Sequence, residues 1–363
     1  MNELKVLMYH QQKLQIMGIS VPGTSFRISE NKIKHFRFFR LHFLDSSEHT
    51  DYVPFKIPIV PIEMTPYEYK NNILWYKKKE LTFENIIIER DELPLEEDKW
   101  HYKGYTFPFD STRNKYIELR INPKLSGNCP GKCFFCHRWH SYHFKPEIRN
   151  STNKILSNIC HTESHDVFSK IKRIVIISEM FGNENKFLDQ IYYIYDELLK
   201  KGYPSINDYN SCSTEIRSLN NLIKLYKIVK PKRYSFSLEF FKEREKLMGK
   251  YKGLPIDKVY KVLSDSRRAG FSEIQINYLA GIDSLETCKK GFENLLEKNL
   301  VDSVGLSTFT CFNERQKKFR IKEAWHPSYY EKLVSILNSL NIKVFNPESY
   351  DMRTPYTKLL ERI

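Results

Sequence analysis

"CPGKCFFC", residues 129–136, sets three cysteines in eight positions, separated by three residues and then by two. The chain of 363 residues holds only seven cysteines, so this stretch concentrates them. An odd number in a long chain argues against a disulfide framework. The chain opens on "MNELKVLMYHQQKLQIMG", which mixes polar residues throughout and lacks the apolar core of a secretory leader. No apolar run approaches the roughly 20 residues needed to cross a bilayer. A cytoplasmic protein with no membrane partner is expected, in a compartment where thiols stay reduced. Reduced cysteines in so tight a group point to metal binding or catalysis.

Around this stretch the chain alternates strand and helix. "KYIELRIN" (115–122) reads as a strand and leads into the cysteine loop. "RIVIIS" (173–178) is a β-branched run suited to a buried parallel strand, followed by the helical "KFLDQIYYIYDELLKKG" (186–202). "PSINDYNS" (204–211), "KRYSFSLEF" (232–240), "EIQINYLAG" (273–281) and "DSVGLSTF" (302–309) continue the strands. "LNNLIKLYKIV" (219–229), "PIDKVYKVLSDSRRAG" (255–270), "SLETCKKGFENLLEKN" (284–299) and "SYYEKLVSILNSLN" (328–341) are the helices between and after them. Six strand-then-helix units predict an α/β fold, a parallel sheet closed into a partial barrel with helices outside. A full eightfold barrel takes about 250 residues, more than this region supplies. Active sites on such sheets lie at the C-terminal strand ends, where the cysteine loop falls.

Residues 1–112 differ, with Pro22, Pro54, Pro58, Pro61, Pro66, Pro94 and Pro108 set among short β-rich runs such as "FRFFRLHFL" (36–44) and "NIIIER" (85–90). Proline breaks helices and confines strands to edges, so a small β or α+β accessory region of unassigned role is expected. The barrel occupies 113–345, and 346–363 form a tail.

The cysteines admit two chemistries. A structural zinc site wants four ligands, which His137, His140 or His143 would complete, although no second CxxC pair is present. An iron–sulfur cluster is held by thiolates from closely spaced loop positions, and three cysteines leave one iron of a [4Fe–4S] cube open.

"CPGKCFFC" resembles the CxxxCxφC motif of radical S-adenosylmethionine (SAM) enzymes, with Phe135 as the aromatic φ. The resemblance runs over roughly 115–345 through the strand–helix units of that family's partial barrel. It implies that Cys129, Cys133 and Cys136 ligate a [4Fe–4S] cluster, that SAM is the second cofactor, and that a carrier such as flavodoxin or ferredoxin supplies electrons. It implies reductive cleavage of SAM to a 5′-deoxyadenosyl radical that abstracts hydrogen from a small molecule or peptide. Lys132 is read as a charge-balancing residue of the loop.

Further positions follow from the same resemblance. The family's second strand ends in a Gly-Gly-Glu-like segment that holds the methionyl amine. Here "SEMFGNEN" (178–185) lacks the double glycine, leaving Ser178 and Glu179 as candidates. Glu179 also suits the start of the following helix. Asn210 and Ser211, ending the third strand, are ribose candidates. Glu239 in "FSLEFF" ends the fourth and is expected at the cavity, where an unpaired carboxylate calls for a partner. "EREKLMGKYKG" (243–253) is expected as a loop, in which Arg244, Lys250 or Lys252 meets the SAM carboxylate. Gly281 in "NYLAGID" would let backbone approach adenine.

Cys160, Cys212, Cys288 and Cys311 are widely separated, so a single cluster is expected. Cys212 and Cys311 follow strand ends and could face the barrel, and Cys288 is expected as packing. A formal charge of +14 invites a nucleic-acid substrate. The lysines are scattered, however, and only "WYKKKE" (75–80) and "RQKKFRIK" (315–322) form basic runs, so nucleic-acid modification is the weaker reading. A zinc-stabilised binding protein is the non-enzymatic alternative.

Overall fold

Alternating apolar residues from Glu118 onward pair into a parallel arc. Its strands are β1 (Glu118–Ile121), β2 (Arg173–Ile176), β3 (Asp208–Ser211), β4 (Arg233–Glu239), β5 (Glu273–Ala280), β6 (Ser303–Thr308) and β7 (Lys343–Phe345). The computed structural model describes most of 9–20, strands 37–43, 51–57 and 86–91, most of 60–81, short strands within 105–121, and 129–135, 173–176, 180–200, 208–211, 214–229, 233–311 and 313–345. Strands β1 to β3 are hydrogen-bonded in order, as are β4 to β7, every pair parallel. β3 runs beside β4, which joins the two sheets into one partial barrel. The third strand is described over Asp208–Ser211, residues 204–207 lying outside the described residues, and β7 is a seventh strand that the reading of six units did not contain.

Helices α1 (Glu184–Lys200), α2 (Leu219–Val229), α3 (Arg244–Lys252), α4 (Ile256–Ala269), α5 (Leu285–Glu297), α6 (Glu314–Lys317) and α7 (Pro327–Ser339) connect these strands. In α1 the spacing of Phe187, Leu188, Ile191, Ile194 and Leu198 puts one apolar stripe against the sheet, and all five are buried. Tyr234, Phe236 and Leu238 of β4 and Ile274, Ile276 and Tyr278 of β5 meet the helices in the same core. Each large apolar side chain buried there stabilises the fold by about 1.5–3 kcal/mol. Ser284 caps α5 by accepting the Thr287 N–H at 3.2 Å. Gly270 ends α4 at φ 112°, and a Cβ there would lie 2.6 Å from the Tyr226 ring.

One expectation is overturned between β4 and α4. Residues expected as a loop form α3, kinked at Gly249, whose φ of 73° and ψ of 160° are open in practice only to glycine. The segment is charged and lacks a helical apolar stripe. Its buried Arg244, Leu247 and Met248 are fixed by tertiary contact rather than by local pattern.

Preceding the arc, strand Tyr105–Thr106 pairs antiparallel with β1. Strands Tyr67–Lys70, Ile73–Tyr76 and Lys79–Glu80 form one antiparallel sheet, and Arg37–Phe43, Asp51–Ile57 and Ile86–Asp91 another. Parts of the N-terminal region pack on the barrel. Ile16 belongs to the barrel core, and Val60 and Met64 pack with Phe309 and Cys311 beside Phe134 and Phe135. Among the described residues no helix is long and apolar enough to cross a membrane. The 346–363 tail lies outside the described residues.

Candidate active site at the barrel mouth

The cysteine loop is gripped from three sides. The Phe134 N–H donates to the Leu247 carbonyl of α3 at 3.0 Å, and the Phe134 carbonyl accepts from Gln316 Nε2 of α6 at 3.0 Å. From the segment after β2, the Met180 N–H donates to Cys129 Sγ at 3.4 Å. Cys133 is buried and Cys129 half-buried. Cys136 lies outside the described residues. Phe134 stacks within 4.4 Å of Phe319 and 5.6 Å of Phe309. Phe135 meets Phe240 edge-on at 5.7 Å, tying the loop to the end of β4.

Glu239 ends β4 at a register shift, with φ 68°. A non-glycine residue in that region is strained. Its carboxylate already has a partner, since Lys252 Nζ sits 2.8 Å from Oε1, and both side chains are mostly buried. The same ammonium lies 5.5 Å from the centre of the Phe135 ring. Glu239, Lys252 and Phe135 therefore form one contact group between the cysteine loop and the end of β4. Arg244 lies deeper. Its guanidinium donates to the Leu238 and Phe240 carbonyls through Nη1 and to the Leu254 carbonyl at 2.8 Å through Nε, while Nη2 is buried without a partner among the described residues. Burial draws it down to about 10, against the pull of the Glu239 and Asp283 carboxylates. Most of its hydrogen-bonding capacity serves the backbone, which differs from the expected loop side chain reaching for a ligand.

Two glutamates absent from the expected set organise the mouth. Glu215, after β3, is 2% exposed, and its carboxylate accepts the N–H groups of Phe181 at 2.6 Å and Asn183 at 3.0 Å and the Tyr251 hydroxyl at 3.0 Å. Glu184, at the start of α1, accepts the N–H groups of Arg217 at 2.6 Å and Ser218 at 2.7 Å. Acidic residues within a few positions of strand C-termini were the signal available in the sequence. Ser178 and Glu179 lie outside the described residues. Asn210 is placed opposite Val175 in the β2–β3 register, its backbone alone being described.

Gly281 follows β5 at φ 116°, and a Cβ there would come 3.4 Å from the Tyr330 hydroxyl and 3.5 Å from Ala324 and Phe309. The close approach that this glycine permits in the structure is to protein atoms. Nearby, Asp283 is 2% exposed and accepts the Phe241 N–H at 2.7 Å, the Lys242 N–H at 3.2 Å and the Tyr278 hydroxyl at 2.8 Å. Burial raises its pKa, although those hydrogen bonds oppose the shift.

Cys311 packs with Val60, Met64 and Phe309, and burial pushes its thiol up to about 11. Cys288 is buried in α5 against the Tyr278 hydroxyl at 3.0 Å, as packing predicts. Cys160 and Cys212 lie outside the described residues. Among the described residues no three His, Cys, Asp or Glu converge as metal ligands.

No family model matches the sequence, and no curated protein matches it. Several solved structures are similar. The HydG maturase of [FeFe]-hydrogenase has a TM-score of 0.47 at 16% identity, over 64% of this chain and 51% of that one. SuiB of Streptococcus suis, solved with SAM bound, has a TM-score of 0.44 at 13% identity, over 64% and 52%. Coproporphyrinogen III oxidase (HemN) of Escherichia coli, described as a radical SAM enzyme, has a TM-score of 0.40 at 14% identity, over 51% and 44%. This chain spans about half the length of each. At these scores the likeness carries no argument, and the fold above rests on the chain's own strand order.

Proposed function

We propose that this protein is a radical SAM enzyme, with Cys129, Cys133 and Cys136 holding a [4Fe–4S] cluster. The observation that supports this most is where the motif falls. The loop carrying Cys129 and Cys133 lies between the segment after β2, α3 at the end of β4, and α6, with the Met180 N–H directed at Cys129 Sγ. The donor set fits such a cluster, because closely spaced loop thiols with a backbone N–H on sulfur are what iron–sulfur ligation uses. When bound, the cluster supplies one electron to the sulfonium of SAM, whose C–S bond breaks to methionine and a 5′-deoxyadenosyl radical.

The chain's own residues hold and shield that chemistry. Phe134 and Phe135, with Phe240, Phe309 and Phe319, form an aromatic wall that keeps water from the loop. Glu239 and Lys252 place one charge of each sign at the end of β4, suited to the ribose hydroxyls and the zwitterionic methionyl group of SAM. Ser178, Glu179 and Asn210 are assigned around SAM with them. The substrate is a small molecule or peptide, and a flavodoxin or ferredoxin serves as donor in the cytoplasm.

Anaerobic reconstitution tests the reading. The protein should bind about four irons and four sulfides, and with a strong reductant it should release 5′-deoxyadenosine from SAM. A Cys129→Ala/Cys133→Ala/Cys136→Ala variant that keeps the iron, or a reduced cluster that yields no fragment of SAM, would defeat it.

A further inference from the structure

The face of the sheet turned away from the helices is unlike an ordinary barrel filling. Along β4, Tyr234, Phe236 and Leu238 enter the core shared with the helices, so Ser235 and Ser237 lie on the opposite, inner face. By the same alternation β5 turns Gln275 and Asn277 inward, and β6 turns Ser303, Gly305 and Ser307. The register aligns Ser235 with Gln275 and Ser303, and Ser237 with Asn277 and Gly305. A closed eightfold barrel packs that face with branched apolar residues. Here three neighbouring strands present hydroxyls, carboxamides and a glycine.

These groups are buried and incompletely used. Ser235 is 1% and Gln275 4% exposed. Gln275 Nε2 donates to Asn277 Oδ1 at 3.0 Å, but among the described residues Gln275 Oε1 and Ser235 Oγ have no hydrogen-bond partner. A Cβ at Gly305 would fall 2.9 Å from Asn277 Oδ1 and 3.0 Å from Gln275 Nε2, so glycine leaves both amides their place. Buried polar atoms without partners destabilise a fold and are retained where something else needs them. Charge is confined to the two ends of the strip. Arg233 pairs with Glu273 at 2.9 Å at the strand starts, and Lys252 with Glu239 at 2.8 Å at the mouth.

We propose that Ser235, Gln275 and Asn277 form a recognition surface for an uncharged substrate group that both donates and accepts hydrogen bonds, a carboxamide or a hydroxylated carbon. Gln275 Oε1 takes the donor and the Ser235 hydroxyl the acceptor. Carboxylates, phosphates and amines are rejected at Ser235 and Gln275, since the inward side chains of β4 to β6 at that level are uncharged and an ion there would be buried without a counter-charge. This rests on the barrel being the catalytic chamber, and it names the substrate class for that chamber.

The test is saturation-transfer NMR on the full chain with four probes: N-acetylglycinamide, myo-inositol, N-acetylglycine and glycinamide. Transfer is expected to one or both neutral probes and not to the charged pair. Ser235→Ala and, separately, Gln275→Leu should each reduce it at least fivefold. Ser235→Ala should melt no lower than the parent, because the hydroxyl it removes has no partner. Transfer to N-acetylglycine equal to that of the neutral probes, transfer that survives both variants, or no transfer to either neutral probe would overturn the proposal. A lower melting temperature for Ser235→Ala would overturn it as well, by showing the hydroxyl to be structural. Neither iron nor SAM enters the measurement, so this result and the cluster assignment stand or fall separately.

Discussion

Glu215 and Glu184 cross-cap each other's loops: Glu215, after β3, binds the amides of Phe181 and Asn183, while Glu184, after β2, binds those of Arg217 and Ser218. Two neighbouring mouth segments are thereby locked by carboxylates rather than by a sheet ladder. The segment so held includes Met180, whose N–H reaches Cys129 Sγ.

Replacing Glu215 by alanine leaves two amides and the Tyr251 hydroxyl without their acceptor. A loss of about 3 kcal/mol is expected, the scale of charge-assisted hydrogen bonds to a buried group. Chemical denaturation should show it, with Glu215→Gln recovering only part, because an amide offers one acceptor oxygen where the carboxylate offers two. A Glu215→Ala protein of parental stability would contradict this.

Gly249→Ala should cost about 1–3 kcal/mol, because φ 73° with ψ 160° is strained for any residue bearing a Cβ. The new Cβ would also touch Lys132 of the cysteine loop, 3.4 Å from its Cβ. Iron bound on reconstitution should fall with stability, as read by iron analysis beside a melting curve. Full iron occupancy at unchanged stability would show that the kink is not needed.

Glu239→Gln removes the charge opposite Lys252 while keeping the side-chain shape. The expected loss of roughly 1.5–3 kcal/mol in SAM binding corresponds to about ten- to a hundredfold in affinity. Equilibrium dialysis with SAM reads it, while iron content should be unchanged. Unaltered SAM affinity would remove Glu239 from the cofactor site.

Cys288 and Cys311 should resist alkylation at pH 8 in the folded protein, since burial lifts both thiols from 9.0 to about 11. The unfolded chain loses these protons first as pH rises. The folded protein therefore binds more protons across that window, and stability should decline from about pH 9 toward 11. Mass spectrometry after a timed iodoacetamide pulse would detect the opposite, rapid labelling.

The barrel was legible because its signals are local. The stripe of α1, the Gly270 stop and the β-branched β2 each declare themselves within a short window. The cysteine loop was legible for the same reason. What escaped depends on contacts remote in sequence. Nothing around Arg244 predicts a helix, because α3 is held by buried side chains and by Gly249 against Lys132. Glu215 reads as an ordinary polar residue until the fold brings Phe181 and Asn183 to it, 34 and 32 residues away. Glu239 was expected to need an external partner, and the structure supplies Lys252 from the helix mistaken for a loop.

The contact of the N-terminal segment with the far end of the barrel has a consequence for biogenesis. Arg320 Nη1 donates to the Ile16 carbonyl at 2.6 Å across 304 residues, and Lys13 Nζ to the Trp325 carbonyl at 2.8 Å across 312. Ile16 cannot find its place until Arg320 and the helix after it have left the ribosome. At 5–20 residues per second that wait is roughly 15–60 s. During this interval the apolar residues around Ile16 are without the neighbours that bury them in the finished fold.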